Sequence, residues 1–175
     1  MSDLDISQLR VISCVSACDL EALKNILDRS GYAVFELHGS QIRDETGFLR
    51  QVNIDLPQPE GLSSHNWSAF SDCLWDWLTS TELSRIAILW TDAHCMLEGG
   101  LSDLLLAVSC FEQAMKAAVS TRGFARGATF YLFLLGNGVN FPRLADTTVR
   151  PSNWCGELAE GRTACEFGCR RSGDA

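Results

Sequence analysis

Between Arg85 and Trp90 the chain reads Arg-Ile-Ala-Ile-Leu-Trp, apolar at every position after the first. A strand points successive side chains to opposite faces, so a run with no polar alternation demands cover on both faces of its sheet. Two more segments have strand character, Tyr32-Ala33-Val34-Phe35-Glu36-Leu37 and Thr129-Phe130-Tyr131-Leu132-Phe133-Leu134-Leu135. Stretches of helical periodicity separate the three. Strands alternating with helices predict an α/β fold, here a short parallel three-stranded sheet with packed helices.

The connecting segments carry start and stop signals. Asp44 offers a cap for a helix whose apolar residues are Phe48, Leu49 and Val52, and Pro57 and Pro59 stop it. Residues 57–65 form a loop, a helix follows over about 66–78, and Thr91 to Gly100 reads as another loop. A long helix is expected from about Leu101 to Val119, with Leu104, Leu105, Val108, Phe111, Ala114 and Met115 as its apolar face. Ahead of all this, residues 1–31 read as an extension. It holds a strand over Leu9–Val15 and a helix capped by Asp19, with Leu20, Leu23 and Leu27 on one face and Gly31 at its end. The domain proper is expected over 32–138. Residues 139–175 lack periodicity, hold two of the four prolines, and read as an irregular, partly disordered tail.

No apolar run approaches the roughly 18 residues of a membrane helix, and the start Met1-Ser2-Asp3-Leu4-Asp5 has no basic segment of the signal-peptide kind. A cytoplasmic chain is expected, with its eight cysteines held as thiols. The net charge of −8 is concentrated. Residues 35–120 carry 12 acidic and 4 basic side chains, a net of −8, whereas the flanks carry −2 and +2. Such a field repels nucleic acid and speeds encounter with basic proteins.

The segment Asn66-Trp67-Ser68-Ala69-Phe70-Ser71-Asp72-Cys73-Leu74-Trp75-Asp76-Trp77-Leu78 shows where that field is displayed. At 100° per residue, Trp67, Phe70, Leu74, Trp77 and Leu78 share one side of a helix. His65, Ser68, Asp72, Trp75, Asp76 and Thr79 share the other. Asp72 and Asp76, four residues apart, repel each other by a few tenths of a kcal/mol. An acidic face that keeps an exposed tryptophan suits a positively charged partner, although a solvated face is the commoner meaning of such charges.

Other chemistry is weaker. Two carboxylates on one exposed helix face do not flank a substrate, so Asp72 and Asp76 are not read as an acid–base pair, and no catalytic residue is assigned. His65 and Cys73 fall on different sides of the helix. His94 and Cys95 could join Cys155, Cys165 and Cys169 in a zinc site on paper. Cys165 and Cys169 have an admissible spacing but no second tight pair, so no metal or other cofactor is assigned. Neither Gly99-Gly100 nor Gly136-Asn137-Gly138 is followed by the Lys-Ser/Thr of a P-loop.

The order of elements and the string Asn66-Trp67-x-Ala69-Phe70-x-Asp72-Cys73-Leu74 together resemble the barstar family, small intracellular inhibitors of bacterial ribonucleases, over about residues 32–136. The resemblance implies a non-enzymatic protein whose acidic helix covers the basic active site of a ribonuclease or related toxin. It places Asp72 on the family's principal inhibitory aspartate and Asn66 on its asparagine, and puts an acidic contact of the later helix at Glu112 or Gln113. Ser68 stands where the family pattern has a second aspartate, and Ser64 where it has a glycine. Leu62 or Ser63 takes the place of a loop aromatic. The partner-binding set expected is therefore Asn66, Ser68, Asp72, Trp75, Asp76, Glu112 and Gln113. Two other readings remain: an interaction module of the same fold with a non-nuclease partner, and a metal-dependent regulator using the tail cysteines.

Overall fold

The computed structural model of the chain describes residues 11–57, 66–122, 128–138 and 141. Its sheet contains β1 (Ile12–Ser16), β2 (Ala33–His38), β3 (Arg85–Thr91) and β4 (Thr129–Gly136). The helices are α1 (Leu20–Arg29), α2 (Glu45–Asp55), α3 (Trp67–Ser80), α4 (His94–Gly99) and α5 (Leu101–Arg122). The strands lie in the order β1-β4-β3-β2, and every pairing is parallel.

The sheet therefore has four strands among the described residues, not the three expected. Ile12 to Ser16 register against Leu132 to Gly136, so the strand assigned to an N-terminal extension lies along the flank of β4. The physical reason is the composition of β4, whose residues from Phe130 to Leu135 are all buried. An apolar strand left at an edge would expose an unpaired backbone ladder, and β1 closes it over part of its length.

Alternation along the strands divides the core in two. Leu37, Ile86, Ile88, Trp90, Phe130, Leu132 and Leu134 face α2, α3 and α5. Val15, Ala87, Leu89, Tyr131, Phe133 and Leu135 face the other way, where Leu23 and Leu27 of α1 cover them. The continuous apolar run of β3 is the sequence trace of this double cover: Ile86 to Trp90 are wholly buried, alternate residues in opposite layers.

Local signals act largely as read. Asp44 Oδ1 accepts from the Gly47 N–H at 2.8 Å, capping α2, and Phe48, Leu49 and Val52 are buried. Asp19 occupies the cap position of α1 but makes no side-chain cap bond. Gly31 ends α1 at φ 74°, a left-handed conformation in which its N–H reaches Asp28 O at 2.9 Å and the next N–H reaches Leu27 O at 3.0 Å.

Three expectations are corrected. The segment Thr91–Gly100 is not all loop: after Asp92, at φ 50°, the Ala93 N–H bonds Leu135 O at 2.9 Å and the chain turns into the short α4. Leu105 is not on the buried face of α5 but is 58% exposed. It lies 100° round from buried Leu104, and Ala107 and Ala118 complete the buried stripe instead. Phe141, assigned to the tail, is buried with its ring over Gly136. The remainder of the tail, with Cys155, Cys165 and Cys169, lies outside the described residues, as does the loop from 58 to 65.

Candidate functional site

The second link from β2 to β3 is α3, and its placement begins at its cap. Asn66 Oδ1 accepts from the Ala69 N–H at 2.8 Å while Asn66 O accepts from the Phe70 N–H at 3.1 Å. Cap and first turn are thus both supplied by Asn66, as its residue type favours. Downstream, Phe70, Leu74, Trp77 and Leu78 are buried and Trp67 is half-buried, the inward side predicted from the 100° spacing.

Aromatic contacts hold that inward side. Phe48 of α2 meets Trp67 at 5.2 Å and Phe70 at 5.1 Å between ring centroids, the latter edge-on. Phe70 also meets Phe111 of α5 at 5.2 Å, and Trp77 stands perpendicular to Phe35 of β2 at 5.1 Å. Paired rings in such tilted and edge-on geometries add about 0.5–1.5 kcal/mol each beyond their burial. The helix is pinned to α2, α5 and the sheet through one face, and its other face is free to be a surface.

On that outer face Ser68, Asp72 and Asp76 are exposed, and Trp75 is 40% exposed. Neither aspartate's carboxylate has a hydrogen bond or ion pair among the described residues. Thr79, half-buried, turns its hydroxyl back to the helix, donating towards Trp75 O at 2.9 Å and Asp76 O at 3.1 Å. Among the described residues the surface is therefore two uncompensated carboxylates beside an indole, without a cation of its own. His65 lies outside the described residues.

The two candidates on α5 separate. Cys110 turns towards α3 beside Phe111, its Sγ 3.8 Å from Trp67 O. On a helix, Gln113 lies about 60° from Cys110 and Glu112 about 160° from it. Gln113 is exposed on the flank nearer α3, where it donates to Ser109 Oγ at 3.1 Å. Glu112 points away from α3 and pairs with Lys116 at 2.6 Å. The structure thus brings Asn66, Ser68, Asp72, Trp75 and Asp76 onto one helix, sets Gln113 on the adjoining flank, and leaves Glu112 apart. One neighbouring feature went unread in the sequence. Leu106, one turn before Cys110, is 47% exposed and borders this surface. Its signal was a third successive leucine in Leu104-Leu105-Leu106, one more than a single buried stripe can absorb.

A cavity of about 510 Å³ lies elsewhere, between the second half of α5 and the start of β4, with Val11, Met115, Val119 and Phe130 in its walls. Val119 is on the opposite side of α5 from Cys110, so this cavity is not part of the α3 surface. No cluster among the described residues could hold a metal ion; His94 Nε2 and Cys95 Sγ stand 3.9 Å apart. No described helix is long and apolar enough to cross a membrane.

Comparison with family models matches residues 32–134 to the family described as barstar (barnase inhibitor). The chain belongs to the barstar family. The match covers β2 through nearly all of β4 and contains the whole of α3. It starts after β1 and α1, which makes the added strand and the helix behind the sheet features of this chain outside the barstar match. No curated protein matches the chain.

Proposed function

We propose that this barstar-family protein is a non-enzymatic inhibitor that binds and blocks the basic active site of a ribonuclease or a related toxin through the outer face of α3. Asp72 and Asp76 stand in for RNA phosphates there, with Trp75 beside them and Asn66, Ser68 and Gln113 around them. The observation that carries the reading is the pairing of exposed, unpartnered carboxylates with a helix fixed from behind by buried aromatic rings. A preformed anionic surface loses little conformational entropy on binding, so its charge is available for the partner. The concentration of negative charge between residues 35 and 120 adds a steering field, which acts mainly on the association rate.

The test is a titration of the purified protein against barnase-type ribonucleases and toxin nucleases at low and high salt, with inhibition of RNA cleavage read in parallel. Binding should weaken as salt rises. Removing one partner of a desolvated charge pair costs about 3–5 kcal/mol, so Asp72→Ala should loosen the complex by two to three orders of magnitude or more. Unchanged affinity in Asp72→Ala would exclude this face as the inhibitory one.

A further inference from the structure

Trp75 is the one outward-facing tryptophan of α3: Trp67 on the same helix is half-buried against Phe48, and Trp77 is buried against Phe35. Trp75, at 40%, is the most exposed of the three and so is open to a partner. The neighbours of Trp75 make the position chemically specific. Asp72 precedes it by three residues and Asp76 follows it by one, about 60° and 100° round the helix in the same direction, so both carboxylates lie on one side of the indole, with Asp72 its i−3 surface neighbour. Thr79, one turn on, has its hydroxyl turned to the backbone, and so offers the ring no competing donor. Among the described residues no cation covers the ring, although Arg85 does lie over a ring elsewhere, 6.0 Å from the centroid of Tyr32.

A flat π surface beside two carboxylates discriminates among cations. An ammonium is compact and strongly hydrated, and gains most of its attraction from the charges alone. A guanidinium is planar and weakly hydrated, stacks on an indole face, and keeps its edge N–H groups directed at carboxylates in the same plane. We propose that Trp75 is the specificity-determining residue of the α3 surface and that it selects a partner presenting arginine, stacked on the indole and bridged by Asp72 and Asp76, over one presenting lysine. This rests on the reading of the α3 face as a docking surface for a basic protein and names the side chain that surface takes.

The test uses the full-length, ¹⁵N-labelled protein and two probes, hepta-arginine and hepta-lysine peptides, titrated while the indole N–H resonance of Trp75 is followed. That resonance is assigned by its disappearance in Trp75→Phe. Hepta-arginine should shift it and bind more tightly than hepta-lysine. In Trp75→Leu the arginine-to-lysine affinity ratio should fall by about two- to fivefold, the size of an exposed cation–π contact, and in Trp75→Phe by less. Trp75 is 40% exposed and lies outside the buried core, so both variants should still unfold in one cooperative thermal transition. A ratio that is the same in the parent and in Trp75→Leu, or an indole resonance that neither peptide moves, overturns the assignment. The double variant Asp72→Asn/Asp76→Asn separates the two ideas: it should weaken both peptides while leaving the arginine preference. If it weakens neither, the docking surface itself is wrong, whatever the ratio does.

Discussion

Replacing Phe48 with alanine removes the ring on which the candidate surface rests. Phe48 is wholly buried and meets Trp67, Phe70, Trp90 and Phe111, with centroids between 5.0 and 6.2 Å. A Phe→Ala change at such a site costs about 3–5 kcal/mol through lost transfer energy and the cavity left behind. Domains of this size are stable by roughly 5–15 kcal/mol, so the loss is a large share of the whole. With a urea m-value of about 2 kcal/mol/M, the midpoint should fall by about 1.5–2.5 M, read by fluorescence from Trp67 and Trp90, which both touch the deleted ring. A cycle of Phe48→Leu and Phe70→Leu should show coupling of about 0.5–1.5 kcal/mol. Ile54→Ala on the same helix, where the side chain is 70% exposed, should change stability by less than about 0.5 kcal/mol. A loss below about 1 kcal/mol in Phe48→Ala, or strict additivity in the cycle, would show that α3 is not held by this aromatic cluster.

Other outcomes can be checked with simpler variants. Gly39→Ala would place a Cβ on the Thr91 carbonyl oxygen and 2.7 Å from Trp90 Nε1, so it should destabilise by about 1–3 kcal/mol in thermal unfolding, whereas Gly100→Ala, with nothing within 4 Å, should not. Ser68→Asp puts a carboxylate in the first turn of α3, where the helix dipole favours it, and should tighten binding of a barnase-type ribonuclease by about tenfold, the scale of one charge-assisted hydrogen bond; equal affinity would mean that the partner has no cation opposite this position. Lys24 bonds Glu36 at 2.8 Å, and that hydrogen bond raises the Lys24 ammonium above its ordinary 10.5. Its contribution is fully present below the unfolded value and is lost as pH rises through the higher folded one. The stability gap between the parent and Lys24→Met should therefore be constant from neutral pH to about pH 9 and close only above 10.5, as measured by urea unfolding.

The two central strands, β3 and β4, were legible because they are buried on both faces, which leaves a period-free apolar run that no amphipathic element produces. The inward and outward sides of α3 were legible for a similar reason: a fixed 100° step assigns Phe70 and Asp72 without knowledge of what they touch. Facts that depend on distant pairing were not. The first strand could be seen as a strand, but its place beside β4 depends on a register between Ile12 and Leu132 that no local pattern encodes. Whether Glu112 or Gln113 adjoins α3 depends on which flank of α5 carries Cys110 towards Trp67, a tertiary fact. With six residues, α4 is too short for periodicity to register, and its entry through Asp92 at φ 50° carries no glycine to announce it.

The parallel pairing of β1 with β4 also sets an order of events during synthesis. The partners Ile12 and Leu132 are about 120 residues apart, so at 5–20 residues per second the first strand waits roughly 6–24 s on the ribosome for its neighbour. Throughout that interval α2, α3 and β3 can assemble behind β2, while the face that α1 will cover lacks the contribution of β4. Closing the back layer is thus a late step governed by the last strand made. A ribosome stalled before residue 129 would leave the acidic helix formed in sequence but its sheet open on one edge, a state for chaperones to recognise rather than a nuclease.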